Sequence, residues 1–199
     1  MRARGLVAFS FSGVLLSLAI AGTSGCIATN PNTTRDLSSF EKSLDWNDDD
    51  FKIQASGNKV TIRTFGMDEG DEVFEHTIDG TVTGADAADL NHDGFPEVVV
   101  YVTSTGSGSY GSVIGYSSNN GKSMSQFTFP QTAENPKINQ GYMGHDKFTV
   151  AEDTFVQSFP VYLPGDTNAH PTGPTRQVQY ALVDGEASRA LVVSRTFEN

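Results

Sequence analysis

The sequence predicts an all-β fold: an antiparallel β-sandwich of Greek-key type, forming a single domain after an N-terminal signal. Three observations carry this expectation. Short β-branched or alternating runs recur at intervals of roughly 8–15 residues. Gly, Asp and Asn punctuate them as turn formers. No stretch beyond the leader has the apolar period of a helix, and no internal repeat is visible.

Strand signals run from about Phe40 to the C-terminus, which sets the domain at residues 40–199. Ser56-Gly57-Asn58 reads as a turn into residues 60–65, where Val60, Ile62 and Thr64 alternate with Thr61, Arg63 and Phe65 as in a half-buried strand. Residues 97–103 (EVVVYVT) are a continuous β-branched run, the pattern of a central strand covered on both faces. Residues 113–116 and 123–129 flank Ser118-Asn119-Asn120-Gly121, and Asn-Gly between strands is a hairpin signal. Residues 148–151, 154–162, 177–183 and 190–197 complete the strand set, with Asp184-Gly185 suggesting a last hairpin.

The first 25 residues read as an export signal. Arg2 and Arg4 precede an apolar run over 6–20, too short for a confident membrane span. Ala19-Ile20-Ala21 suits ordinary signal cleavage, whereas Thr23-Ser24-Gly25-Cys26 resembles a bacterial lipobox that would place a lipid on Cys26, the chain's single cysteine. One cysteine cannot form an internal disulfide, so the fold stands on its core. Residues 26–39 are polar and aperiodic, a tether. The whole chain has 13 Lys+Arg against 24 Asp+Glu. Losing Arg2 and Arg4 with the leader leaves 11 against 24, a net charge of −13. That balance argues against nucleic acid, where binding rests on cationic neutralisation of phosphates, and favours basic protein partners.

Three constellations could carry function. Gly106, Gly108 and Gly111 spell G-x-G-x-x-G after a strand, but a dinucleotide site needs a helix next, and Val113-Ile114-Gly115-Tyr116 is strand-like. The segment reads either as a plain flexible hairpin loop or as a contact loop. Ser107, Ser109 and Tyr110 give it the composition of a paratope, where Tyr supplies area at low entropic cost. The second constellation is Asp89, Asn91, Asp93 and Glu97 in D-x-N-x-D-G-x-x-E. Its oxygens could surround Ca²⁺ or build an Asx-type turn; no other cofactor is expected. The third is histidine: His76, His92, His145 and His170 are scattered without zinc-motif spacing. His145-Asp146 could be an acid–base pair or a local turn contact. No G-x-S-x-G elbow occurs, and enzyme activity is not expected.

The order of several segments resembles a known family. Residues 78–85 (IDGTVTGA) lead through Ala88-Asp89-Leu90-Asn91 and Asp93-Gly94 to Pro96-Glu97, then 100–103 (VYVT) and Gly106-Ser107-Gly108-Ser109-Tyr110-Gly111. Further on stand 141–146 (GYMGHD), 159–162 (FPVY) and 165–168 (GDTN). Together they resemble the periplasmic inhibitors of invertebrate-type (i-type) lysozymes, the PliI family. The resemblance implies a β-sandwich whose Ser-Gly-Ser-Tyr loop enters the lysozyme's sugar-binding cleft. Ser107 and Tyr110 would be the inhibitory pair, with Gly106, Gly108, Ser109 and Gly111 shaping the loop. It also implies the periplasm of a Gram-negative bacterium. Family members are soluble there, so a lipid on Cys26 would be a departure, the only membrane contact expected. The alternative from the residues alone is a calcium-dependent sugar-binding or adhesion module of the cell envelope, built on Asp89, Asn91 and Asp93.

Overall fold

A computed structural model describes residues 39–47 and 49–199. The expected signal peptide, Cys26 and all of the tether except Ser39 lie outside the described residues. Among the described residues twelve strands form three antiparallel sheets of four. The first sheet holds β1 (Phe40–Trp46), β2 (Asp49–Ser56), β3 (Lys59–Phe65) and β4 (Val73–Thr77). The second holds β5 (Thr81–Ala88), β6 (Glu97–Thr103), β7 (Gly111–Ser118) and β8 (Met124–Phe127). The third holds β9 (Lys147–Ala151), β10 (Thr154–Pro160), β11 (Thr175–Val183) and β12 (Ala190–Glu198). A single 3-10 turn, Thr132–Glu134, lies between the second and third sheets in sequence. Among the described residues no helix is long and apolar enough to cross a membrane.

The antiparallel all-β class is as expected, but the connectivity differs. Each sheet is a meander of strands in sequence order, so no Greek-key connection runs within any of them. Sequence neighbours pair directly whether joined by a two-residue turn, as between β9 and β10, or by a longer segment, as residues 161–174 between β10 and β11.

The middle sheet is covered on both faces, and β6 shows why its sequence is continuous in apolar residues. Val98, Val100 and Val102 join a core with Phe51, Ile53, Val60 and Ile62 of the first sheet. Val99 and Tyr101, on the opposite face, join a second core with Phe155, Phe159, Val178 and Leu191 of the third. Side chains alternate between faces along a strand, so only a strand packed on both sides needs every position apolar. The outer strands alternate instead. In β2, Phe51, Ile53 and Ala55 are buried and the residues between them are not. Each fully buried Phe, such as Phe51, Phe155 and Phe159, contributes about 1.5–3 kcal/mol of transfer free energy.

The hairpin signals are realised where glycine or asparagine supplies a left-handed backbone. Gly57 has φ 58 between β2 and β3. Between β7 and β8, Asn120 (φ 56) and Gly121 (φ 75) form the centre of the turn, and Lys122 N–H donates to the Asn119 carbonyl at 3.2 Å. That is the type I′ turn whose twist matches its flanking strands. Asp184-Gly185 lies in a wider loop before β12, where Arg189 Nε donates to Asp184 Oδ1 at 3.2 Å and Nη1 reaches Ser117 Oγ at 2.6 Å.

Candidate functional site

Residues 104–110 connect β6 to β7 and form the loop singled out by the sequence. Its base is closed in two ways: Ser104 N–H donates to the Tyr110 carbonyl at 2.9 Å, and Tyr110 N–H donates to Ser104 Oγ at 2.9 Å. Its tip is a turn, with Ser109 N–H donating to the Gly106 carbonyl at 2.9 Å. Thr105, Gly106, Ser107 and Tyr110 are exposed, and Tyr110 keeps 47% of its surface open.

Two distant segments brace this loop. The Gly108 carbonyl accepts His145 N–H at 2.7 Å. The Ser107 carbonyl accepts the Asn168 side-chain amide at 2.6 Å, and Asn168 Oδ1 lies 3.2 Å from His145 Nε2. Asp166 shapes the segment that carries Asn168: its Oδ2 accepts Leu163 N–H at 2.7 Å and Thr172 N–H at 2.8 Å. The Thr172 and Leu163 amides and the Thr172 hydroxyl hold the Asp166 carboxyl below its usual pKa. Gly144, at φ 86, approaches so closely that a Cβ there would lie 2.1 Å from the Gly108 carbonyl oxygen. The 104–110 loop is therefore cross-tied by backbone and amide bonds rather than free.

Tyr110 stands on aromatic rings. Its ring meets Tyr142 edge-on at 5.7 Å between centroids, and Tyr142 meets the buried Phe159 edge-on at 4.8 Å. The stack roots an exposed phenol in the second core, an arrangement that presents contact area with little freedom left to lose on binding. An open cleft of about 400 Å³ lies beside it, with Asp79, Ser104, Tyr110, Phe129 and Tyr142 among its walls.

The loop's glycines differ in what they do. None of Gly106, Gly108 and Gly111 has positive φ; that conformation falls on Ser109, at φ 44. Gly108 and Gly111 serve close packing inside the protein. A Cβ on Gly108 would lie 2.4 Å from the Tyr110 ring, and one on Gly111 would meet Phe148 and Asp146 at 2.5 and 2.6 Å. Gly106 has open space around it.

Asp89, Asn91, Asp93 and Glu97 form a dense hydrogen-bonded turn into β6. Asp89 accepts Asp93 N–H and Gly94 N–H, both at 2.9 Å. Asn91 Oδ1 accepts Asp93 N–H at 3.0 Å, and Asp93 Oδ1 accepts Phe95 N–H at 2.9 Å. Glu97 turns inward to Leu90 N–H at 2.7 Å and the Ser117 hydroxyl at 2.6 Å. Among the described residues no group of three or more His, Cys, Asp or Glu side chains converges as a metal centre.

His145 and Asp146 make no hydrogen bond to each other. His145 turns toward Asn168, and Asp146 turns inward. His76 bonds Tyr116 through Nε2 at 2.8 Å, and burial lowers its pKa. His92 (φ 61) lies in the 89–97 turn, and His170 N–H closes a turn onto the Thr167 carbonyl at 2.9 Å. Tyr142, Asp146 and Asn168 support the loop, yet residue-type reasoning gave Tyr142 and Asn168 no role and Asp146 only a pairing with His145. Their segments were part of the resemblance, but nothing in their spacing says that they meet residues 104–110.

No family model matches the chain, and no curated protein matches it. Among solved structures it is similar to the xylan β-1,4-xylosidase of Bacillus halodurans C-125, at 12% sequence identity and a TM-score of 0.37, over 82% of this chain and 32% of that one. The chain thus spans about a third of that structure's length. At this identity and TM-score the likeness transfers no activity.

Proposed function

We propose that this protein binds and inhibits i-type lysozyme by inserting the 104–110 loop into the enzyme's active-site cleft, protecting peptidoglycan in the periplasm of a Gram-negative bacterium. The observation that carries the reading is the half-exposed Tyr110 on a loop tied by Asn168 and the 141–146 segment. These three segments are among those in which the sequence resembles the inhibitor family.

The chemistry suits a plug. A lysozyme cleft presents one protonated and one ionised carboxyl group across a sugar-binding groove. A Ser107 hydroxyl both donates and accepts, so it can bond either group without bringing a charge beside it. Tyr110 fills an apolar sugar subsite while its hydroxyl bonds the rim. Bracing beforehand lowers the ordering cost of binding. No bond is made or broken in this mechanism. A lipid on Cys26 would hold the inhibitor at the envelope membrane without altering the loop.

The test is inhibition of an i-type lysozyme by the protein lacking residues 1–26. Tyr110→Ala should weaken binding by about 2 kcal/mol, roughly 30-fold, and Ser107→Ala should add to the loss. Both variants should stay folded and melt cooperatively, because neither side chain belongs to a core cluster. Undiminished inhibition by the double variant rejects the loop mechanism.

A further inference from the structure

Asp146 is a carboxylate with 8% of its surface exposed, lying beneath the loop. Its oxygens gather three donors from three separate parts of the chain. Oδ2 accepts Gly111 N–H at 2.7 Å, where the loop enters β7, and the Tyr142 hydroxyl at 2.6 Å. Oδ1 accepts Gln157 Nε2 from β10 at 2.6 Å. Gln157 is itself held, with its Oε1 accepting the Tyr180 hydroxyl from β11 at 2.6 Å. Thr132 Oγ1 lies 2.8 Å from Gln157 Nε2. Tyr142 in turn backs the Tyr110 ring. One buried group thus links the third sheet, the end of the loop and the ring that backs Tyr110.

We propose that Asp146 is a positioning residue for the Tyr110 loop, its ionised carboxylate holding Gly111 and Tyr142 where Tyr142 supports the Tyr110 ring. The proposal rests on the inhibitor reading only for its effect on affinity; the positioning itself is measurable on the protein alone. An ionised carboxylate accepts from all three at once. A proton on Asp146, or the amide of an asparagine, replaces an acceptor lone pair with a donor, so the hold on the Gly111 amide, which can only donate, weakens and the Tyr142 hydroxyl must turn round to accept.

The titratable groups facing Asp146 are Tyr142 and His145 on its own segment, Tyr180 on β11 and, beyond Tyr142, Tyr110. Lys147 follows it on β9 and is exposed; among the described residues neither lysine nor arginine forms an ion pair with Asp146. Desolvation raises the Asp146 pKa against the pull of Tyr142, Gly111, Gln157 and His145. Acidification therefore protonates it before an ordinary aspartate, and the contacts hold above that point and open below it.

The experiment follows the Gly111 amide exchange rate, corrected for intrinsic pH dependence, and the Tyr110–Tyr142 ring-to-ring Overhauser effect in the exported protein. Asp146→Asn should speed Gly111 exchange at neutral pH at least tenfold and abolish the ring contact. Wild type should reach the same state on acidification, while Asp146→Asn shows no such transition. Tyr142→Phe deletes one donor that stabilises the carboxylate, so it should move the wild-type transition to higher pH; this variant carries the test where Asp146→Asn fails to fold. Inhibition of i-type lysozyme should fall at least tenfold in Asp146→Asn. Unchanged Gly111 exchange and ring contact in Asp146→Asn, or an unmoved transition in Tyr142→Phe, overturns the positioning role. A loop that responds as described in a protein that inhibits no lysozyme upholds the positioning role and rejects the inhibitor reading.

Discussion

Glu97 shows how burial makes a carboxyl group hold its proton toward neutral pH. It begins β6 with 0% of its surface exposed, and desolvation pushes its pKa up to about 7. The Ser117 and Leu90 hydrogen bonds oppose the rise, and repulsion from Asp93 and Asp89 adds to it. A carboxyl with a raised folded-state pKa binds its proton more tightly in the fold than in the unfolded chain. Its contribution to stability is full below the unfolded value of 4.5 and is lost as pH climbs through about 7. Each unit of such a shift corresponds to about 1.4 kcal/mol. Thermal melts of wild type and Glu97→Gln between about pH 4 and pH 8 should show a falling melting temperature for wild type and a flatter profile for the variant; parallel profiles would refute the assignment. The sequence marked Glu97 as a candidate Ca²⁺ ligand; in this fold its oxygens accept hydrogen bonds from the Leu90 amide and the Ser117 hydroxyl. Tyr110 was legible because a lone aromatic among small polar residues has few internal uses. Asp146 was not, because its three donors come from residues 111, 142 and 157.

At the scale of elements, the β9–β10 hairpin places two consecutive non-glycine residues in the left-handed region. Ala151 pairs with Thr154, leaving Glu152 (φ 47) and Asp153 (φ 56) as the two central turn residues. Both sit in the left-handed region, which costs a non-glycine residue about 1–2 kcal/mol. Replacing the pair with Asn-Gly, the sequence suited to this turn, should stabilise the protein by about 1 kcal/mol, read as a higher denaturation midpoint with an unchanged slope. A lower midpoint would show that these side chains hold contacts worth more than the relief. Several strands escaped individual recognition for related reasons. β1 (FEKSLDW) and β4 (VFEHT) interleave charged and apolar residues on short edge strands, and none of their side chains is fully buried. β5 (TVTGADAA) is poor in strand-forming residues. Its small side chains answer a neighbour instead: a Cβ on Gly84 would lie 2.9 Å from the Tyr101 ring, and the β5–β6 register shifts between Val82 and Gly84. Strong β-branched runs are readable in isolation; strands that exist to fit against another element are not.

Over the whole molecule, charge and layering act on different properties. Acidic residues outnumber basic ones by 24 to 13 in the full chain, a field that steers cationic partners but leaves the fold largely indifferent. Association with a basic lysozyme should therefore slow as salt rises from about 50 to 500 mM while dissociation changes little. Stopped-flow rates independent of salt would remove charge from the binding account. By itself the sequence determined the β class, the central strand, the Asn-Gly hairpin and the loop between residues 104 and 110. Each is set by local alternation, turn chemistry or composition, which residues close in the chain can express. Tertiary structure alone decided that there are three meander sheets, with the middle one covered twice. It also decided that the side-chain oxygens of residues 89–97 accept from amides of that turn, from the Asn91 side chain and from the Ser117 hydroxyl, and that residues 141–146 and Asn168 clamp the 104–110 loop. Those outcomes depend on which faces and loops meet across long stretches of chain, and no local pattern encodes the partner on the other side of a contact.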